Sequence, residues 1–200
     1  MNRKFNKKQF ELVMKGTAIV TKILNVILYI ALAVIAALFI AVIFINQRHF
    51  NFDLSMLDNI NVSINNILYE LSGDTLSGIV NVKTILLVGA GVAFINLGFV
   101  QYIILTVRKL VTNIKDDQPF DQQNTILLKN LAIGFLIASV VLSILNSVFF
   151  TVVMNQLEIA EMNVNYTINT TYLFMGILIF ILAYVFDYGS YLQEEYDHTI

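Results

Sequence analysis

Polar and apolar positions in this chain segregate into long blocks. From Ile23 to Ile45 the only strongly polar side chain is Asn25. At about 1.5 Å per residue that run crosses a hydrocarbon core about 30 Å thick. It is too long for the apolar stretch of a cleaved signal peptide, so it reads as a retained anchor. Charges are also absent from Thr84 to Val107, and between Lys129 and Glu158, where the apolar centre is Leu131 to Val153. A fourth run, Tyr172 to Phe186, is 15 residues long. It reaches only about 22 Å unless the helix continues to about Leu192. The pattern predicts an all-α integral membrane protein with four transmembrane helices in an antiparallel bundle. The expected helices cover residues 18–46, 84–109, 127–155 and 171–193 of a single membrane domain, 1–200.

The link over residues 47–83 is too long for a simple turn. Leu57, Ile60, Ile64, Ile67, Leu68 and Leu71 recur at helical spacing, which predicts an amphipathic helix on the external side. A β-rich alternative rests on the alternation at Val80 and Val82 and on the breaks at Gly73 and Gly78. The link over residues 110–126 holds the single proline, Pro119. Asp116, Asp117 and Pro119 stop the second helix, and Asn124 or Thr125 is expected to cap the third.

Composition supports a membrane address. The 200 residues are 58% hydrophobic and 13% charged, the latter about half the usual share. With no cysteine, disulfides, thiolate nucleophiles and cysteine-bound metals are excluded. Ten of the twelve basic residues precede the first run (Arg3, Lys4, Lys7, Lys8, Lys15, Lys22) or flank the 110–126 link (Arg108, Lys109, Lys115, Lys129). The positive-inside rule then puts both termini in the cytoplasm.

Small residues mark expected packing seams at Ala33, Ala37 and Ala41, at Gly89 and Ala93, and at Gly134 and Ala138. Asn96, Ser139, Ser143, Asn146 and Ser147 are candidates for polar packing between helices, with a transport path as the sharper alternative. Asp187 is expected to pair with a basic residue at its level, Arg108 first among Lys22, Arg108 and Lys129. Gln193, Glu194, Glu195 and Asp197 leave the last helix where negative charge opposes its dipole, so a basic counterpart is expected. No H-E-x-x-H, G-x-S-x-G or phosphate loop occurs. His49 and Asp53 alone do not make a metal site. No catalytic residue, cofactor or metal is expected.

Gln118-Pro119-Phe120, Asn124 and Leu128-Lys129, with the terminal Phe186, Gly189, Leu192-Gln193-Glu194-Glu195, Asp197 and Thr199-Ile200 pattern, resemble the YoaS-like bacterial membrane proteins, domain of unknown function 2975. His198 and Asp187 depart from that pattern. The resemblance implies a four-span protein without established catalysis, encoded beside a small helix-turn-helix DNA-binding protein of the Cro/CI type. The expectation is a non-enzymatic, regulatory protein of the bacterial cytoplasmic membrane. Its partners are the lipid bilayer and such a regulator at a cytoplasmic surface made by Pro119, Phe120, Asn124, Gln193, Glu194, Glu195 and Asp197, without direct nucleic-acid binding. An immunity protein against a membrane-active peptide and a small transporter or channel are the alternatives. The sequence leaves the oligomeric state open.

Overall fold

A computed structural model describes residues 7–53, 59–64, 67–72, 79–115, 120–157 and 167–197. Four helices dominate it: α1 (Lys7–Phe44), α2 (Lys83–Lys115), α3 (Gln122–Gln156) and α4 (Thr170–Asp197). All four are long and apolar enough to cross a membrane, and the chain is a multi-pass membrane protein. Their outer surfaces agree: only 6% of the most apolar window of α1 is buried within the chain, against 22% for α3. The remainder is side chain that only lipid or another protein can cover favourably.

Each helix outruns the apolar block that predicts it. α1 starts at Lys7 rather than at 18, and α2 continues to Lys115 rather than 109. α3 begins at Gln122 rather than 127, and α4 runs unbroken to Asp197. The apolar run measures what lipid must cover, whereas a helix ends only where its backbone finds a stop. At the start of α3 that stop is Asp121, whose Oδ1 accepts from the Gln123 amide at 2.6 Å. This aspartate is the cap expected at Asn124 or Thr125.

The predicted amphipathic helix in the 47–83 link does not form. A short 3-10 turn (Gln47–Phe50) leads into β1 (Asn51–Asp53), then β2 (Asn59–Ile64), β3 (Ile67–Ser72) and β4 (Ile79–Asn81). β2 and β3 pair antiparallel from Asn59↔Ser72 to Ile64↔Ile67, and β1 pairs with β4 from Asn51↔Asn81 to Asp53↔Ile79. The reason lies in β2, where Ile60, Val62 and Ile64 alternate with Asn59, Asn61 and Ser63. That two-residue period in β-branched residues favours a strand.

The chain divides into two compact units. One holds residues 34–94 and 144–166. In it Lys83 Nζ donates to the carbonyls of Ile43 at 3.1 Å and Ile45 at 2.8 Å, neutralising the unpaired C-terminal end of α1. Asn81 joins the base of the link, donating to Asn51 Oδ1 at 2.9 Å and accepting from the Lys83 amide at 3.0 Å. Gly89 admits Phe149, whose ring would lie 2.9 Å from an added Cβ.

The other unit holds residues 1–33, 95–143 and 167–200, and therefore all of α4. Its core includes Leu128, Leu131, Ala132, Phe135, Ala138 and Ala183. Here α4 lies against the first part of α3. The Asn169 amide donates to the Ser139 carbonyl at 2.9 Å. Tyr172 meets Phe135 with ring centres 5.9 Å apart, and Phe186 meets Phe120 at 5.5 Å. Gly176 sits where an added Cβ would lie 2.9 Å from Leu136 and 3.2 Å from the Ala132 carbonyl. Gly134 and Ala138 are seams as expected, since Gly134 admits Tyr102 and Ala138 is buried. Ala33, Ala37 and Ala41 are instead exposed among the described residues.

Gly176→Ala should lower stability in detergent by about 1–3 kcal/mol, because the new methyl meets backbone as well as Leu136. Gly91→Ala, with nothing within 4 Å of the added Cβ, should be neutral or gain up to about 1 kcal/mol. Thermal unfolding of both variants checks the contrast.

Candidate functional site

Among the described residues that carry the family resemblance, Phe120, Phe186 and Gly189 meet in a clasp between the start of α3 and α4, and Lys129 bonds to α4 beside it. Pro119 lies outside the described residues. Phe120 follows it and lays its ring on α4, against Phe186 and over Gly189. A side chain at Gly189 would overlap that ring, so glycine is what lets Phe120 approach the α4 backbone. Asn124 is fully buried and accepts from Asn113 Nδ2 at 2.8 Å, tying the end of α2 to the first turn of α3. Leu128 is buried one turn later. Of the expected interaction surface, Asn124 is thus an internal fastener, whereas Phe120 touches α4 with its ring and stays exposed. Polarity near a helix start marked Asn124 as a contact residue, but its amide is used up inside the fold.

Lys129 completes the clasp. Its Nζ pairs with Asp187 Oδ2 at 3.0 Å and lies 5.6 Å from the centre of the Tyr184 ring. Asp187 was expected to pair with Lys22, Arg108 or Lys129, Arg108 first among them, and the partner in the structure is Lys129. Tyr184 and Asp187 are three residues apart and so share one side of α4, and Lys129 reaches both. With both partners more than a third exposed, the pair contributes at most about 1 kcal/mol. Arg108 is exposed and lines a separate cleft of about 270 Å³ with Lys109, Thr112 and Asn113.

Beyond the clasp α4 projects as a helix with exposed Tyr184, Tyr188, Tyr191, Gln193, Glu194, Glu195 and Tyr196. Asp197 ends the helix. Gln122, Tyr184, Asp187, Tyr188, Tyr191 and Glu194 line an open cleft of about 430 Å³. The expected acidic surface is therefore flanked by tyrosines, a combination that attracts cations through both carboxylates and ring faces. The tyrosine spacing at 184, 188 and 191 was visible in the sequence as a helical face, but inside an apolar run it reads as membrane anchoring.

Two of the polar residues expected in helix packing bond within their own helix. Ser139 and Ser143 donate back into their own helix, to the Leu136 carbonyl at 2.7 Å and the Ser139 carbonyl at 2.9 Å. Ser147 is buried, Asn146 is exposed and Asn96 is half-buried. One bond between spans comes from residues outside that set: Gln101 Nε2 donates to Asn25 Oδ1, and both side chains are buried. Gln101 was overlooked because it lies inside an uncharged run. A strongly polar residue in each of two spans was the available signal.

Gly189→Ala should cost about 1–3 kcal/mol in the native background. It should cost at least about 1 kcal/mol less when Phe120 is already alanine, since the two positions touch. Asp187→Asn should stay within about 1 kcal/mol of the parent. Unfolding in detergent across the double-mutant cycle reads all three.

No curated protein and no solved structure matches the chain. A family model described as protein of unknown function (DUF2975) matches residues 71–200, a stretch that begins within β3 and contains the whole clasp, α4 included. The chain belongs to this family of unknown function.

Proposed function

We propose that this chain is a non-catalytic regulatory protein of the bacterial plasma membrane, an antiparallel four-helix arrangement with both termini in the cytoplasm. It presents the projecting end of α4 as a docking surface for a small basic protein. The observation that carries this reading is the cleft beside Tyr184, Tyr188, Tyr191 and Glu194, held on a helix end that the Phe120–Gly189 contact orients. A helix end anchored in this way loses little conformational freedom when a partner binds. Its carboxylates and ring faces suit lysine and arginine side chains.

The partner class that fits is a DNA-binding regulator of the Cro/CI type. Such a protein must carry basic surface for phosphate contacts, and an acidic, tyrosine-lined helix competes for that surface. Docking at the membrane would hold the regulator away from its operator. The orientation rests on the ten basic residues at the ends of α1, α2 and α3.

A reporter fused after Ile200 should be active only in its cytoplasmic form; an extracellular signal overturns the orientation. The full chain in mild detergent should retain a small helix-turn-helix protein of the Cro/CI type, which the family resemblance implies is encoded beside it. Tyr191→Ala with Glu194→Lys should weaken that binding at least about tenfold without loss of folded protein. Equal binding by the double variant, or none by the parent chain, overturns the docking reading.

A further inference from the structure

The cations that bound the apolar runs are not all answered alike. Lys129 pairs with Asp187 at 3.0 Å, and Lys83 is held by the carbonyls of Ile43 and Ile45. Arg108 and Lys109 follow directly on the uncharged run Thr84 to Val107. Both are exposed, and no carboxylate among the described residues pairs with either. Two adjacent like charges at the edge of hydrocarbon call for a counter-anion, and the described part of the fold does not supply one.

Leu105, Arg108, Lys109 and Thr112 recur every three or four residues and so share one face of α2. With Asn113 they line the cleft of about 270 Å³. Thr112 donates to the Arg108 carbonyl at 3.0 Å and Asn113 to Asn124 at 2.8 Å, which holds the polar end of the cleft in place. Along α2 the face is apolar at Leu105, doubly cationic at Arg108 and Lys109, and polar without charge at Thr112 and Asn113. A phospholipid runs in the same order, from acyl chain through phosphate to headgroup. The guanidinium can take two phosphate oxygens at once, and the flexible ammonium adds a point charge beside it. A zwitterionic lipid would bring an ammonium of its own into this positive field, whereas an anionic lipid brings a net charge that answers it.

We propose that the face of α2 from Leu105 to Asn113 is a binding site for an anionic glycerophospholipid, with the phosphate on Arg108 and Lys109 and an acyl chain along Leu105. The site rests neither on the docking reading nor on which leaflet is cytoplasmic.

The chain contains no tryptophan, so Leu105→Trp places a single fluorophore in the cleft. Ile181→Trp, exposed on α4, serves as the reference. Each full-length variant is reconstituted in bilayers of phosphatidylcholine and phosphatidylglycerol, with one lipid or the other brominated on its acyl chains. Comparing the two lipids at one tryptophan cancels the depth of that tryptophan. Quenching should report a preference for phosphatidylglycerol of at least about fivefold at Leu105→Trp and none at Ile181→Trp. Adding Arg108→Gln with Lys109→Gln should abolish the preference while leaving thermal unfolding in detergent unchanged. In the Leu105→Trp protein itself, concentrated sodium chloride should weaken the preference by screening, a reading that needs no charge variant. Inorganic phosphate at the same ionic strength should do no more than chloride. Equal quenching by the two lipids, the same preference at Ile181→Trp, a preference that survives the double variant or high salt, or displacement by inorganic phosphate beyond that by chloride overturns the site.

Discussion

How far α4 can slide along α3 decides most of what this molecule presents to its surroundings, and two glycines set the stop. Gly176 accepts Leu136 and the Ala132 carbonyl, and Gly189 accepts the ring of Phe120. Within lipid, where neighbouring helices gain nothing from hydrophobicity, close fits of this kind are the main source of adhesion. A slide by one turn, about 5.4 Å, would put side chains where both glycines now lie. Where α4 begins along α3 and where its other end extends past Phe120 are two results of one fit.

Polar groups in the spans mostly find partners, although Gln101 Oε1 and Thr125 Oγ1 are buried without one among the described residues. Serine and threonine find them locally, as in the bonds from Thr106 to Tyr102 at 2.9 Å and from Thr151 to Ser147 at 2.9 Å. Such bonds add little adhesion between helices. The amides of Asn25 and Gln101 are too long to do the same and bond across helices instead. Lys83 follows the same logic at the end of α1, where its ammonium meets two carbonyls and lies 5.8 Å from the centre of the Phe50 ring. This lysine is spent on a helix terminus, which accounts for a basic residue on the side otherwise poor in them.

Four helices were legible in the sequence because uncharged runs above about 20 residues have few other uses. Their ends were not, because Lys7–Thr17 and Gln122–Lys129 lie outside those runs and nothing in them breaks a helix. The 59–72 segment misled because Ile60 and Ile64 satisfy the helical and the strand period alike; Val62 and the β-branching separate the two. For the site, motif resemblance picked out Phe120, Asn124, Phe186 and Gly189 as a group. The contact of Phe120 with Phe186 and Gly189 stayed hidden, since which residues meet depends on the register of α4, and hydropathy does not encode a ring over a glycine. Lys129 rather than Arg108 meets Asp187 for the same reason.

The strand pair at the base of the 47–83 link has an evolutionary consequence. Asp53 and Ile79 are partners across one antiparallel ladder, so the chain leaves and re-enters at points about 5 Å apart. Whatever lies between them can lengthen or shorten with a closure cost of only about 0.6 kcal/mol per doubling. The family match begins at residue 71, late in that stretch. The number of residues between Asp53 and Ile79 can therefore change while β1 and β4 keep their pairing.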